Sequence, residues 1–303
     1  MQRYRSLVMD SARWDGFAFR DDDIIISTPS KCGTTWTQRL CSLLLSVEPS
    51  SERPMAVISP WLDMLTRPRD EVVADLEAQR HRRFIKTHTP LDGLPFLAGV
   101  TYLTVGRDPR DVAISWANHF DNMDLERFIG FREQAVGLDD LAEVMPRGMP
   151  APPPDDPLER FWMWVEPDPP QDLGGGLRAM LYHLETFWDL RDEPNVHLFH
   201  YAQMKEDLPG QLRARAPALG VEPDDDELAT MAEAATFESM RARAGDLTPN
   251  TDRVFWKDTA AFFNKGTSGQ WRDLLSDTDV ARYYKVAGDM ASTDLLGWVH
   301  QAR

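Results

Sequence analysis

"TPSKCGTTW", residues 28–36, lies between a β-branched run, "DIIIST" (23–28), and a stretch whose apolar residues recur at three- and four-residue steps (34–47). Such a run is typical of a buried parallel strand, and such spacing predicts an amphipathic helix. A loop that leads from a strand into a helix exposes backbone N–H groups at the helix N-terminus, where negative charge is favoured. The stretch therefore predicts an anion-binding loop, with an ordinary strand-to-helix turn as the alternative interpretation.

The position of the lysine separates this loop from the nucleotide-binding P-loop, whose pattern is G-x-x-x-x-G-K-[ST]. Lys31 stands before Gly33 rather than after it, and no glycine precedes it in the loop. A magnesium-dependent nucleotide kinase or NTPase would also want a strand-end aspartate to hold the metal, and the sequence offers no convincing one. A cysteine phosphatase is disfavoured as well, because Arg39 follows Cys32 at the wrong spacing and the glycine-rich interior is missing.

Alternating strands and helices continue along the chain. Strands are predicted at 83–88, 100–106 and 195–201, and helices at 107–120 and 224–244. Asp108 can cap the first of these helices, and Pro109 suits its first turn. Strands that alternate with helices imply βαβ units and a parallel sheet, so the predicted fold class is α/β.

The segment 121–176 breaks this pattern, with nine prolines and several large aromatic residues. A long proline-rich insertion between two βα units is expected to be a lid or a substrate-facing segment. A disordered surface excursion is the alternative, which the aromatic content disfavours. We expect a single domain over residues 1–303 that carries this insertion.

The composition excludes several classes of protein. A formal net charge of −16 argues against nucleic-acid binding, which usually needs a basic face. Two cysteines are too few for a disulfide framework or a four-ligand zinc site, and no metal is expected. The N-terminus lacks the apolar core of a signal peptide, and the longest apolar stretch, 40–47, is too short to span a bilayer. We expect a cytoplasmic protein without a transmembrane segment; transient membrane contact and the oligomeric state stay open.

The loop resembles the 5′-phosphosulfate loop of the cytosolic-type sulfotransferases, usually T-Y-P-K-S-G-T-T-W. Other segments are similar to that family in the same order: "RFIKTHTPLDGLP" (83–95), "YLTVGRDPRDVAISW" (102–116), "LFHYAQMKEDL" (198–208), "FESM" (237–240) and "FFNKGTSGQW" (262–271). The first third, including "SPWLD" (59–63), looks most like bacterial members that act on glycolipids. The resemblance implies a P-loop-like, three-layer α/β/α fold with a central parallel sheet.

The resemblance also implies the reaction. Members of the family move a sulfuryl group from 3′-phosphoadenosine 5′-phosphosulfate (PAPS) to a hydroxyl or amine, leave 3′-phosphoadenosine 5′-phosphate as product, and need no metal. The acceptor expected here is small or lipid-like: a glycolipid, a phenol or an alcohol. His88 would be the general base, and Lys31 and Lys86 the catalytic cations. A non-catalytic nucleotide-binding protein is a further alternative, against which the presence of both His88 and Lys86 argues.

The chemistry suits these residue types without the resemblance. A histidine with a pKa near neutrality can accept a proton from an attacking hydroxyl, and the other six histidines lack a comparable context. Lys86 lies two residues before His88, so on a strand both point to the same face. Lys31 can stabilise the charge that develops on a leaving phosphate oxygen.

Donor binding is assigned by resemblance. The residues are Lys31, Cys32, Gly33, Thr34, Thr35, Trp36, Arg107, Ser115, Tyr201, Phe237, Met240, Asn264, Lys265 and Gly266. Arg107 and Ser115 would bind the 3′-phosphate, for which a guanidinium group and a hydroxyl are suitable partners. The sequence departs from the family pattern at three positions: Asn264 replaces an arginine, Pro29 a tyrosine and Cys32 a serine. The loss of one cation at Asn264 is expected to place more of the 3′-phosphate binding on Arg107.

Overall fold

A computed structural model describes residues 1–146, 148, 152–166, 175–249 and 255–301. Its sheet contains β1 (Ile24–Ser27), β2 (Phe84–Thr87), β3 (Thr101–Gly106) and β4 (Val196–His200). All pairs are parallel and the spatial order is β2-β1-β3-β4. The predicted strands are therefore present, each shorter than its β-branched run by one or two residues.

Helices connect and flank these strands. Their bounds are α1 (Thr34–Leu44), α2 (Met55–Ile58), α3 (Arg69–Ala78), α4 (Pro109–Asn122), α5 (Leu125–Val136), α6 (Leu141–Val144), α7 (Pro157–Val165), α8 (Leu177–Trp188), α9 (Tyr201–Glu206), α10 (Leu208–Arg215), α11 (Asp225–Ala234), α12 (Phe237–Ala242), α13 (Ala244–Leu247), α14 (Asp277–Gly288) and α15 (Thr293–Val299). None of these helices is long and apolar enough to cross a membrane.

Both faces of the sheet are covered by helices. Ile24 and Ile26 of β1 pack in one apolar cluster with residues of α1 and α11. Ile25 points the other way, into a second cluster with Leu76 of α3 and Phe187 of α8. Alternate side chains of one strand thus serve two cores, which explains why the strand is apolar throughout. The predicted three-layer α/β fold is confirmed.

The strand order creates a topological switch point between β1 and β3. The chain leaves β1 for β2 on one side of the sheet and returns to β3 on the other. Loops that follow two such strands diverge and leave a crevice at their carboxyl ends, where α/β proteins bind ligands. Lys31, His88 and Arg107 follow the carboxyl ends of β1, β2 and β3, so the topology brings them to this edge.

One predicted helix is correct and another is wrong. Asp108 accepts a hydrogen bond from the backbone N–H of Arg110 and caps α4, as expected. The long helix predicted at 224–244 is instead divided into α11, α12 and α13. Thr236 leaves the helical conformation and its side chain accepts from the N–H of Ser239, so it begins a new helix at Phe237.

The insertion 121–176 contains α5, α6 and α7; residues 147, 149–151 and 167–174 lie outside the described part. Its aromatic residues serve two purposes. Phe161 and Trp164 of α7 are buried in a cluster with Tyr283 of α14, whereas Phe128 of α5 packs against Phe255. The described residues of the insertion are packed helices rather than a loose excursion.

Candidate active site

A cavity of about 510 Å³ opens at the carboxyl edge of the sheet. Its walls include, among others, every residue proposed from the sequence except Cys32: Lys31, Gly33, Thr34, Thr35, Trp36, Lys86, His88, Arg107, Ser115, Tyr201, Phe237, Met240, Asn264, Lys265 and Gly266. These residues come from six separate segments of the chain. The fold therefore brings together in one place what the sequence offered as separate motifs.

The loop after β1 is compact because two of its residues adopt left-handed backbone conformations. The φ angles are 67° at Lys31 and 104° at Gly33, which precedes α1 as its N-cap. A Cβ atom at Gly33 would lie 3.0 Å from the Tyr201 ring, so glycine suits both the conformation and the space. A 2.6 Å hydrogen bond between the Thr28 and Thr34 hydroxyls closes the loop. Gly33, Thr34 and Thr35, at the start of α1, line the cavity, and the first N–H groups of a helix have no partner within it.

His88 is held as a neutral base. Its Nδ1 lies 2.6 Å from the carbonyl oxygen of Thr28, which can only accept, so Nδ1 carries the proton. Nε2 is left with a free lone pair. Burial, reinforced by the charge of Lys86, lowers the pKa of His88 well below its usual value. The Trp61 ring, edge-on at 4.6 Å, fixes the orientation of the imidazole.

Two lysines meet at the same end of the cavity. Burial lowers the pKa of Lys86 to about 7, an effect that the charge of Asp63 partly offsets. Burial also lowers the pKa of Lys31 to about 7, with further contributions from Arg107 and Lys86. Within the described residues, neither lysine nor Arg107 forms an ion pair with a carboxylate. Such a group of unpaired cations is suited to a ligand that brings its own negative charge.

Arg107 connects the loop to the C-terminal part of the chain. Its guanidinium group donates to the carbonyl oxygens of Lys31 (3.0 Å) and Thr267 (3.3 Å) and lies 4.4 Å from the centre of the Tyr201 ring. The side chain is only 7% exposed, and its Nε has no partner among the described residues. Ser115, two turns farther along α4, lines the same cavity. The pair can bind a phosphate group.

The segment 264–270 closes the cavity from the C-terminal side. Asp111 of α4 accepts hydrogen bonds from the N–H groups of Gly269 (2.7 Å) and Gln270 (2.9 Å), which anchors the segment to the helix. Gly266 has a φ of 62°, and a Cβ atom there would overlap the Phe237 ring. The neighbouring Asn264 and Lys265 are exposed at the rim.

An apolar slot lies beside the loop. Trp36 donates its indole N–H to the carbonyl oxygen of Ala235 (3.0 Å) and meets the Tyr201 ring edge-on at 5.2 Å. Phe237 and Met240 of α12 complete its walls. The break between α11 and α12, which the sequence did not predict, is what places these two residues here. The slot can hold a planar aromatic group.

Cys32 is the exception among the proposed residues. Its side chain is 0% exposed and packs in the apolar cluster of α7 and α8, away from the cavity. Burial raises the pKa of its thiol to about 12, so the nucleophilic thiolate is absent at neutral pH. Its side chain is therefore a core residue, and the predicted contact of Cys32 with the donor would have to come from its backbone N–H.

Sequence reasoning missed Asp63, the last residue of "SPWLD". It is 0% exposed and accepts hydrogen bonds from the hydroxyls of Thr87 (2.7 Å) and Thr89 (2.5 Å), the two neighbours of His88. Asp63 thereby holds the backbone around the base and supplies negative charge near Lys86. No local pattern indicates this role, because the contact joins segments that lie more than twenty residues apart.

His119 was also missed, and the view that the other histidines lack a comparable context is wrong for it. His119 lines the cavity, and its Nδ1 lies 3.2 Å from Nζ of Lys31. A signal was present: the residue follows Ser115 by four positions, which places both on one face of a helix. Two aromatic residues pack against it: Trp256, in a stretch to which the sequence gave no role, and Phe262, the first residue of "FFNKGTSGQW".

Within the part of the chain that the structure describes, no group of three or more histidine, cysteine, aspartate or glutamate residues is arranged to hold a metal ion. One side of the cavity is mainly apolar. Its walls include Val8, Met64, Met123, Phe128 and Phe255. The cavity thus combines a cationic end with an apolar one.

Comparisons with known proteins agree with this arrangement. The sequence profile described as "Sulfotransferase domain" matches residues 21–292. A protein named "Glycolipid sulfotransferase" from Mycobacterium bovis (strain BCG / Pasteur 1173P2) is 43% identical over 99% of this chain and 94% of its own length. A protein of the same name from Mycobacterium tuberculosis (strain ATCC 25177 / H37Ra) matches to the same extent.

Solved structures match the fold. A mouse sulfotransferase complexed with PAP superposes with a TM-score of 0.69 at 18% identity, over 98% of this chain and all of the other. Retinol dehydratase in a complex with retinol and PAP gives a TM-score of 0.64 at 21% identity, over 92% of this chain and 84% of the other. At these identities the likeness concerns the fold alone.

Proposed function

Because the chain belongs to the sulfotransferase family, we propose that it moves a sulfuryl group from PAPS to a hydroxyl group of a small or lipid-like acceptor, with His88 as the general base. The observation that carries this proposal is the neutral His88, with its free Nε2, in a cavity that also holds Lys31, Lys86 and Arg107. Proton acceptance and anion stabilisation are thus available at one place.

The cavity residues fit a donor with anions at both ends of a nucleotide. The buried cations Lys31, Lys86 and Arg107 lack carboxylate partners within the described residues, and Gly33 and Gly266 keep the walls free of Cβ atoms. The loop and Lys31 would hold the 5′ end, Arg107 and the rim the 3′-phosphate, and the slot beside Trp36 the adenine. When bound, the donor supplies the sulfuryl group and an anionic leaving group.

The chain's own contribution to the transfer is proton removal, orientation and charge. Nε2 of His88 accepts the proton of the acceptor hydroxyl as its oxygen attacks, since Nδ1 is occupied by the Thr28 carbonyl oxygen. Lys86 lies on the same side of β2 and is directed by the Trp61 ring at 4.2 Å. Lys31 and Lys86 neutralise the charge that moves onto the leaving oxygens, which is the main form of catalysis in such displacements.

The acceptor we propose is a glycolipid. The mycobacterial relatives carry that name, and the acceptor side of the cavity is mainly apolar. The insertion 121–176 contributes Met123 and Phe128 to this wall, which supports its role as a substrate-facing segment of a single domain. A hydroxyl at the end of a lipid-like molecule could then reach His88 while the apolar part stays among these side chains.

Transfer of labelled sulfate from PAPS to a panel of glycolipids, phenols and alcohols tests the proposal. The side-chain amide of His88→Asn can still donate a hydrogen bond to the carbonyl oxygen of Thr28. It cannot accept a proton, so the general base is lost. We expect kcat to fall by about 10²- to 10⁴-fold, with the affinity for 3′-phosphoadenosine 5′-phosphate retained. His81→Asn, outside the cavity, is the matched control. Full activity of His88→Asn would refute the assignment of the base, and product binding without turnover on any acceptor would indicate a non-catalytic protein.

A further inference from the structure

His119 occupies the boundary between the cationic and apolar ends of the cavity. It lies one turn beyond Ser115 on α4, and three aromatic rings surround its imidazole. The ring centroids are 4.8 Å away for Trp256, 5.7 Å for Trp116 and 5.8 Å for Phe262. These contacts fix the plane of the imidazole, so each ring nitrogen has a defined direction.

The contact with Lys31 determines which nitrogen carries the proton. Nζ of Lys31 lies 3.2 Å from Nδ1, and in the protonated form in which Lys31 acts, its ammonium group can only donate. Nδ1 is therefore the acceptor, and a neutral imidazole must carry its proton on Nε2. Burial and the charge of Lys31 lower the pKa of His119 well below its usual value, which keeps the ring neutral.

Nε2–H of His119 has no hydrogen-bond partner within the described residues, because most of the side chains around it are apolar. His119 is half-buried, so leaving this donor unpaired becomes costly when a ligand displaces water from the cavity without supplying an oxygen. The side chain lines the cavity, and its Nδ1 faces Lys31, which would hold the 5′ end of the donor. Nε2 lies on the other side of the ring, so the ligand expected to reach it is the acceptor. His88 already contacts the hydroxyl that reacts, as the base that accepts its proton. The oxygen that meets His119 must accordingly be a different one.

We propose that Nε2–H of His119 binds a second oxygen of the acceptor, and that the enzyme thereby selects polyhydroxylated headgroups, such as a sugar, over simple alcohols. This inference rests on the proposed function. It names a property that an apolar cavity alone would lack: a site built to donate to a substrate oxygen discriminates against a molecule without that oxygen, because the donor is then left unpaired.

The test compares two acceptors with the same alkyl chain, octyl β-glucoside and 1-octanol. The quantity measured is the ratio of their kcat/KM values. His119→Phe keeps an aromatic ring among its neighbours but has no donor. We expect this variant to reduce the preference for the glucoside by about 10- to 100-fold, which corresponds to one unpaired polar group. An equal loss on both acceptors would overturn the inference, because His119 would then act only through Lys31.

Two polar variants distinguish the roles of the two ring nitrogens of His119. The shorter amide in His119→Asn can replace Nδ1 as the partner of Lys31, whereas the longer amide in His119→Gln can reach the position of Nε2. Preference for the glucoside should return in part in His119→Gln and not in His119→Asn. The opposite order would contradict the assignment of the donor to Nε2. Thermal unfolding of each variant verifies that the fold is intact.

Binding distinguishes failure of this inference from failure of the proposed function. The change in tryptophan fluorescence on addition of octyl β-glucoside, with 3′-phosphoadenosine 5′-phosphate present, reports binding near Trp116 and Trp256 without any transfer. If no acceptor is sulfated, the proposed function fails, but weaker glucoside binding in His119→Phe would still support the role of His119. Identical glucoside binding by the wild type and His119→Phe would overturn it.

Discussion

The charges of single residues determine the pH range in which this site can work. His88 acts when neutral, and its pKa is lowered well below 6.5 by burial and by Lys86; it therefore remains a competent base as the pH falls through 6.5. Lys31 and Lys86 act when protonated, and burial places the pKa of each at about 7. The base limits activity on the acid side and the lysines limit it on the alkaline side.

We expect kcat/KM, which reports the free enzyme, to be highest below neutrality and to decline as the pH rises through about 7. A bound anionic donor favours the charged lysines and raises their pKa. The alkaline limb of kcat should therefore lie at higher pH than that of kcat/KM. Complete pH–rate profiles at saturating and limiting PAPS measure both limbs. Coincident limbs would mean that the bound donor does not raise the pKa of either lysine.

The charge of Asp63 should affect the alkaline limb of the pH–rate profile. Its charge raises the pKa of Lys86 against the effect of burial. Asp63→Asn keeps an oxygen for the hydroxyls of Thr87 and Thr89 but removes the charge, so the pKa of Lys86 should fall further. The alkaline limb of kcat/KM is then expected at lower pH than in the wild type. A variant that loses activity equally at every pH would show that Asp63 serves the fold alone.

At the level of elements, the ends of strands and helices were the predictable part of the site. Lys31, His88 and Arg107 could be found because each follows a strand with a clear β-branched run, and parallel strands end at one edge. Asp63 and His119 could not, since their roles arise from contacts with segments distant in sequence. The break at Thr236 was missed because the helical periodicity of 224–244 continues through it, and only the side-chain cap reveals the restart.

Gly266 links two such elements, the C-terminal segment and α12. With φ at 62° and the Phe237 ring against its Cα, Gly266→Ala is strained and displaces the ring. We expect about a tenfold loss of affinity for 3′-phosphoadenosine 5′-phosphate, as one strained residue costs about 1–2 kcal/mol. Gly245→Ala, in α13 with open space around it, is the matched control. Titration calorimetry measures both, and equal affinities would exclude a constraint at Gly266.

For the whole molecule, the cavity is where several segments of one fold converge. Loops after three strands, the start of α9, the start of α12 and the C-terminal segment all contribute walls. The chain has a net charge of −16, yet the cationic end of this cavity concentrates positive charge whose mutual repulsion opposes folding. An anion that binds there relieves this repulsion and joins the segments, so donor binding should be coupled to global stability.

We therefore expect 3′-phosphoadenosine 5′-phosphate to raise the melting temperature by several degrees. A ligand at 100 times its Kd that binds only the native state adds about 2.7 kcal/mol to the free energy of unfolding. Arg107→Gln removes the group that joins the loop to Thr267, so its ligand-induced shift should be largely lost. Arg241→Gln, an exposed arginine on α12, should keep the full shift. Because each variant is compared with itself, with and without ligand, any destabilisation by the substitution cancels. An undiminished shift in Arg107→Gln would mean that the phosphate is bound elsewhere in the cavity.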